Sequence, residues 1–119
     1  MENIPYDKRS GIIWFNGKNI DWSEAKVHLL SHGLHYASCV FEGERVYGGE
    51  VFKLEEHTDR LFYSAKRMGI KVPYSKEDVN KATKQVVDIQ KTLNGYVRPV
   101  IWRGSEMMAI SAQKNKINV

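Results

Sequence analysis

His35-Tyr-Ala-Ser-Cys-Val-Phe-Glu-Gly-Glu-Arg-Val-Tyr-Gly-Gly-Glu-Val-Phe52 decides how this chain folds. Residues 38–47 read as a long strand, rich in β-branched and aromatic types. Gly48-Gly49 is a turn signal, and residues 50–54 return antiparallel. The strand interior is odd. Packing alone would prefer Val and Ile at 41–45, yet Phe41-Glu42-Gly43-Glu44-Arg45 stands there. On a strand, Phe41, Gly43 and Arg45 share one face, and Glu42 and Glu44 share the other. A glycine inside a strand marks a bulge or the close approach of a ligand or another backbone. Phe41, Gly43 and Arg45 together would line one shallow wall.

Upstream, residues 12–20 (IIWFNGKNI) form a hairpin signal, with Asn16-Gly17 as the tight turn. Residues 21–38 suggest a helical turn after Asp21 and then a loop broken at Gly33. Residues 1–10 are polar and are expected to be a flexible segment, with a domain over 11–119.

Downstream the period changes. Leu54, His57, Thr58, Leu61, Phe62, Ala65 and Met68 recur at three and four, as one face of an amphipathic helix. Gly69 suits its C-terminal stop. Ser75 with Asp78 resembles a capping box, and Glu77 adds favourable charge to the first turn. The second helix carries Val79, Ala82, Val86, Ile89 and Leu93 on one side, and Asn94-Gly95 is expected to end it. Residues 96–103 (YVRPVIWR) return to strand, with Pro99 arguing for an edge or a bulge. The order predicts an α+β fold: a mostly antiparallel β-sheet packed against two α-helices.

The totals bound the function. The chain has 119 residues, 42% hydrophobic and 27% charged, enough for one domain with a real core. A single cysteine allows no internal disulfide, which suits a cytoplasmic setting. No secretory signal opens the sequence, and no apolar run approaches the roughly 20 residues that span a membrane. The net charge of +4 allows an anionic partner, but the basic residues are scattered and no RNA-binding signature accompanies them. Residues 111–119 end as a strand just beginning, so the sequence reads as a piece of a longer protein.

Several residues are candidates for chemistry. Arg60 on the first helix is either a surface arginine paired with Glu56 at i−4 or a planar donor fork for a phosphate. Tyr96 and Arg98, two apart on a strand, share a face; a phenol beside a guanidinium makes a carboxylate receptor, or simply a solvated polar face. His28 and His32 would share a face on a continuous helix, but Gly33 interrupts it and no carboxylate stands at the usual motif position, so no metal site is expected. Cys39 reads as packing rather than nucleophile. No glycine-rich phosphate loop or strand-turn-helix serine motif occurs.

Three blocks carry a resemblance: HGLHY (32–36) with FEGER (41–45), then HTDRL (57–61), then YVRP (96–99). In this order and spacing they resemble the N-terminal small domain of the fold-type IV pyridoxal-phosphate aminotransferases, above all the branched-chain amino acid aminotransferases. The resemblance runs from about Ile12 onward. It implies that Arg60 holds the phosphate of pyridoxal 5′-phosphate. It implies that Phe41 and Gly43 form the wall of the substrate side-chain pocket. Tyr36 would close the pocket of the neighbouring subunit in a homodimer or higher homo-oligomer. Arg98 would take the distal carboxylate of glutamate, and Tyr96 the α-carboxylate region. The implied reaction moves an amino group between Leu, Ile or Val and 2-oxoglutarate.

Arginine followed by proline at 98–99 is like the branched-chain subgroup. The D-amino-acid aminotransferases and aminodeoxychorismate lyases depart at this strand. Glu44 stands where the family more often has an apolar residue. The resemblance also implies that the Schiff-base lysine belongs to a large C-terminal domain beyond position 119, so the 119-residue chain alone is expected to be inactive. Other classes are a non-catalytic module for a phosphorylated ligand at Arg60 and a basic nucleic-acid binder.

Overall fold

The computed structural model describes residues 3–119; Met1 and Glu2 of the expected flexible segment lie outside the described residues. Tyr6–Lys8 form a 3₁₀ turn, and the Arg9 guanidinium lies 4.0 Å from the Tyr6 ring centre. The first hairpin is β1 (Ile12–Phe15) and β2 (Lys18–Asp21), paired with Phe15 opposite Lys18. Asn16 and Gly17 make its two-residue turn at φ 49° and 90°, the left-handed values that favour Asn-Gly. A 3₁₀ turn at Trp22–Glu24 follows, as the sequence predicts.

Gly33 does not break a loop. It lies inside the short helix α1 (His32–Tyr36), where a Cβ would stand 3.1 Å from Trp102 Cβ and 3.3 Å from the Ser38 carbonyl. Close approach of α1 to the sheet, rather than a turn, therefore favours glycine. There are three α-helices among the described residues, not two.

The long strand divides into β3 (Cys39–Phe41) and β4 (Glu44–Tyr47). β3 pairs with β7 (Val100–Arg103), and β4 pairs with β6 (Asn94–Val97). The single sheet expected from the sequence is instead three small antiparallel sheets, ordered β1-β2, β3-β7-β8 and β5-β4-β6. β5 is only Glu50–Val51, and β8 is Ile117–Asn118.

The break has a simple cause. Phe41 faces Val100 and Glu44 faces Val97, which is one uninterrupted register, so Glu42 comes opposite Pro99 and Gly43 opposite Arg98. Glu42 N–H donates to the Pro99 carbonyl at 3.1 Å, but proline has no N–H to return the bond. Pro99 marks a gap in the ladder rather than a bulge.

α2 (Leu54–Arg67) buries Leu54, Thr58, Leu61 and Ala65, with Met68 left 43% exposed. Gly69 at φ 69° ends it in a Schellman motif: Gly69 N–H donates to Lys66 and Ile70 N–H to Ala65, at 3.0 and 2.8 Å. α3 (Lys76–Ile89) starts on the predicted capping box. Asp78 N–H donates to Ser75 Oγ at 3.0 Å, and Ser75 N–H donates to Asp78 Oδ2 at 3.1 Å.

α3 ends at Ile89, earlier than expected, and Asn94-Gly95 already belong to β6. Its buried face is Val79, Ala82, Thr83 and Val87, whereas Ile89 and Leu93 are exposed. The core joins both helices to the sheets through Val40, Leu61, Ala65, Ile70, Val79, Ile101 and Val119. No helix among the described residues is long and apolar enough to cross a membrane.

Candidate functional site

Four of the six residues singled out by the sequence meet on one outer face. Alternation runs unbroken across the ladder gap: Phe41, Gly43, Arg45 and Tyr47 are exposed, while Glu42, Glu44 and Val46 are buried. On the facing strand, Tyr96 and Arg98 point outward to the same side. The Arg98 guanidinium stacks 4.2 Å from the Phe41 ring centre, a cation–π contact. Arg98 Nε and Nη2 both donate to Tyr96 Oη, at 2.9 and 2.7 Å. With its oxygen accepting from Arg98, the Tyr96 hydroxyl proton is free to donate outward. Arg98 keeps its Nη1 hydrogens for a second acceptor. The pair therefore offers convergent donors to a carboxylate, beside an aromatic wall.

Gly43 makes this arrangement possible. A Cβ built there would stand 2.5 Å from Tyr96 Oη and 3.2 Å from its ring, so the phenol lies directly over the glycine. The space, not the backbone angle, requires glycine.

Arg60 approaches from the inner side of the same strand. It does not pair with Glu56. Its Nε donates to Glu42 Oε2 at 2.9 Å and its Nη2 to Glu42 Oε1 at 2.8 Å, a bidentate fork. His57, one turn earlier on α2, donates from Nδ1 to Glu42 Oε1 at 2.6 Å. The Arg60 hydrogen bonds, helped by His57, hold the Glu42 carboxyl below the usual carboxylate range, against its burial. The same bonds raise Arg60, keeping it cationic.

Glu42 and His57 are the participants that the sequence reading missed. A signal existed: His57 and Arg60 are three apart on a helix, hence neighbours on its surface. Nothing local indicates that their partner is an acid fifteen residues upstream of His57 and eighteen upstream of Arg60.

Glu44 is more unusual. It is 1% exposed, and neither of its carboxyl oxygens has a hydrogen-bond partner among the described residues. Burial, reinforced by the charge on Glu42 and opposed by His57, pushes it up to about 7.

Tyr36 stands apart from this face. It lies at the end of α1, 42% exposed, with its hydroxyl donating to the Met108 carbonyl at 2.9 Å. The histidines are engaged locally. Nε2 of buried His32 approaches the carbonyls of Ala109 and Ile110 at 3.1 and 3.2 Å, so it carries the proton and Nδ1 accepts from Ser38 Oγ at 2.6 Å. His28 Nδ1 accepts from Leu30 N–H, and His35 Nε2 donates to Leu29 O. Burial raises the Cys39 thiol, which suits packing and not a nucleophile.

This fold and this face define a class. The sequence profile of the class IV aminotransferases matches residues 39–119, and the chain belongs to that family. Among its relatives, a probable branched-chain-amino-acid aminotransferase from Rickettsia bellii (strain RML369-C) is 48% identical over 107 residues, 90% of this chain and 37% of the relative. The solved branched-chain amino acid aminotransferase from Escherichia coli superposes with a TM-score of 0.87 at 35% identity, over 92% of this chain and 39% of that one. The branched-chain aminotransferase from the thermophilic archaeon Thermoproteus uzoniensis, solved with norvaline, gives a TM-score of 0.86 at 34% identity, over 92% of this chain and 39% of that one. The chain thus spans little more than a third of the length of these proteins.

Proposed function

We propose that residues 11–119 serve as the small N-terminal domain of a transaminase that exchanges amino groups between branched-chain L-amino acids and 2-oxoglutarate with pyridoxal 5′-phosphate. The observation that carries this reading is the meeting of Phe41, Gly43, Tyr96 and Arg98 on one face. An apolar wall with a guanidinium at its rim suits both substrates. Phe41 offers the apolar wall for the side chain of leucine, and Gly43 keeps that wall shallow by letting the Tyr96 phenol lie over it. Arg98 takes the distal carboxylate of glutamate, and Tyr96 donates to the α-carboxylate.

The cofactor fits the groups present. Arg60 has three N–H groups not taken by Glu42, and a cation with an open edge suits a phosphate monoester. When bound, the cofactor supplies the electron sink that lets the α-carbon of the amino acid give up its proton. This chain's own residues bind and orient; none is assigned the proton transfer, so the 119 residues alone are proposed to be inactive. Tyr36 is assigned to the pocket of a neighbouring subunit in a homo-oligomer.

The test uses the full reading frame containing this chain, purified with pyridoxal phosphate, with the cofactor spectrum followed on adding L-leucine, L-glutamate or D-alanine. Conversion by L-leucine and L-glutamate, but not D-alanine, is expected. Conversion by D-alanine would replace this reading with the D-specific one. Absence of cofactor binding would leave a module that shares only the scaffold.

A further inference from the structure

Glu42 is committed on every side. Its N–H donates to Pro99, its carboxylate takes both donors of the Arg60 fork, and Oε1 also accepts from His57. It is 5% exposed, whereas the Arg60 side chain is 66% exposed. An exposed arginine on a flexible stem ordinarily samples many rotamers and must be ordered when it binds. Here Nε and one hydrogen of Nη2 are fixed from the buried side. Three hydrogens remain, two on Nη1 and one on Nη2. They belong largely to the guanidinium edge that can meet two phosphate oxygens at once. His57, with its side chain 20% exposed, fixes Glu42 in turn.

We propose that Glu42 is a positioning residue: it holds the Arg60 guanidinium with its Nη1–Nη2 edge open to a phosphate monoester, and His57 locks Glu42 in that pose. The inference rests on the reading of Arg60 as the phosphate anchor. It opposes a simple alternative in which Glu42 only neutralises Arg60 and competes with the anion. The two assign opposite signs to loss of the carboxylate.

The experiment measures dissociation constants of the full chain for pyridoxal 5′-phosphate, for pyridoxal, and for inorganic phosphate as competitor. Glu42→Gln keeps size and one acceptor but loses the bidentate carboxylate. It should weaken pyridoxal 5′-phosphate and inorganic phosphate about tenfold, the loss of a charged hydrogen bond, and change pyridoxal less than about twofold. On an Arg60→Met background the same change should add almost nothing, because Glu42 acts through Arg60. His57→Gln, which leaves Glu42 in place, should reproduce the phosphate-selective loss at about threefold and guards against misfolding of the first variant. Unchanged or tighter phosphate binding in Glu42→Gln would overturn the inference while leaving Arg60 as the anchor. Equal losses for pyridoxal and its phosphate would overturn it too, as a general structural effect. A wild-type chain that does not prefer the phosphorylated ligand would remove the anchor itself, and the inference with it.

Discussion

Two glutamates two residues apart show how burial and partners separate chemically identical groups. Glu42 is hydrogen-bonded to a guanidinium and an imidazole and is held ionised; Glu44 is hydrogen-bonded to neither and is pushed up to about 7 by burial. The sign of each contribution follows. Between the ordinary carboxylate value of 4.5 and about 7, folded Glu44 keeps a proton that the unfolded chain has lost, so stability falls as pH rises through that window. Glu44→Val should therefore stabilise the fold by roughly 1 to 3 kcal/mol at pH 8, and the gain should shrink towards pH 4.5. Urea unfolding at both pH values checks this. The pH dependence of Glu42 runs the other way: its contribution is present above the ordinary carboxylate range and is lost on acidification. At Gly43, function and stability should part company. Gly43→Ala gains strand propensity but displaces the Tyr96 ring, which is 52% exposed and free to move. The melting temperature should change little, while on the proposed transaminase reading the KM for glutamate of the full reading frame should rise about tenfold through loss of the Arg98–Tyr96 geometry.

At the scale of elements, the pieces with local chemistry are the ones that the sequence predicts well. The capping box of α3 is complete in Ser75 and Asp78, and Ser75→Ala should cost about 1 kcal/mol in urea unfolding. The Asn16-Gly17 turn and the Gly69 stop are likewise set by backbone preferences within a few residues. Elements whose limits depend on distant partners are misjudged. The 38–47 strand divides because Pro99, more than fifty residues later, has no N–H to give Glu42. Apolar spacing extends α3 to Leu93, yet the chain leaves the helix near Lys91 at φ 52° and Asn94 pairs with Tyr47. Gly33 looks like a breaker, but its role is contact with Trp102 and the Ser38 backbone.

Across the whole molecule, the first hairpin is sealed to the last strand. Asn16 N–H donates to the Val119 carbonyl at 2.9 Å, its Oδ1 accepts from Val119 N–H at 2.8 Å, and its Nδ2 donates to Asn118 Oδ1 at 2.9 Å. Asn16→Ala loses both side-chain bonds and keeps an unfavourable φ, so it should cost on the order of 2 kcal/mol in urea unfolding. Asn16→Gly relieves the backbone and should cost less, which separates the two terms. The Tyr96–Arg98 pair is legible because spacing of two on a strand fixes a shared face whatever surrounds it. The amphipathic helices and tight turns are legible for the same reason: periodicity and backbone preference act within one element. Which face of the 41–47 strand is buried, the stacking of Phe41 on Arg98, and the exchange of Glu56 for Glu42 as partner of Arg60 are decided only when helix and sheet come together. Hydrogen bonds and burial across long sequence separations depend on the relative placement of elements, and no local spacing encodes that placement.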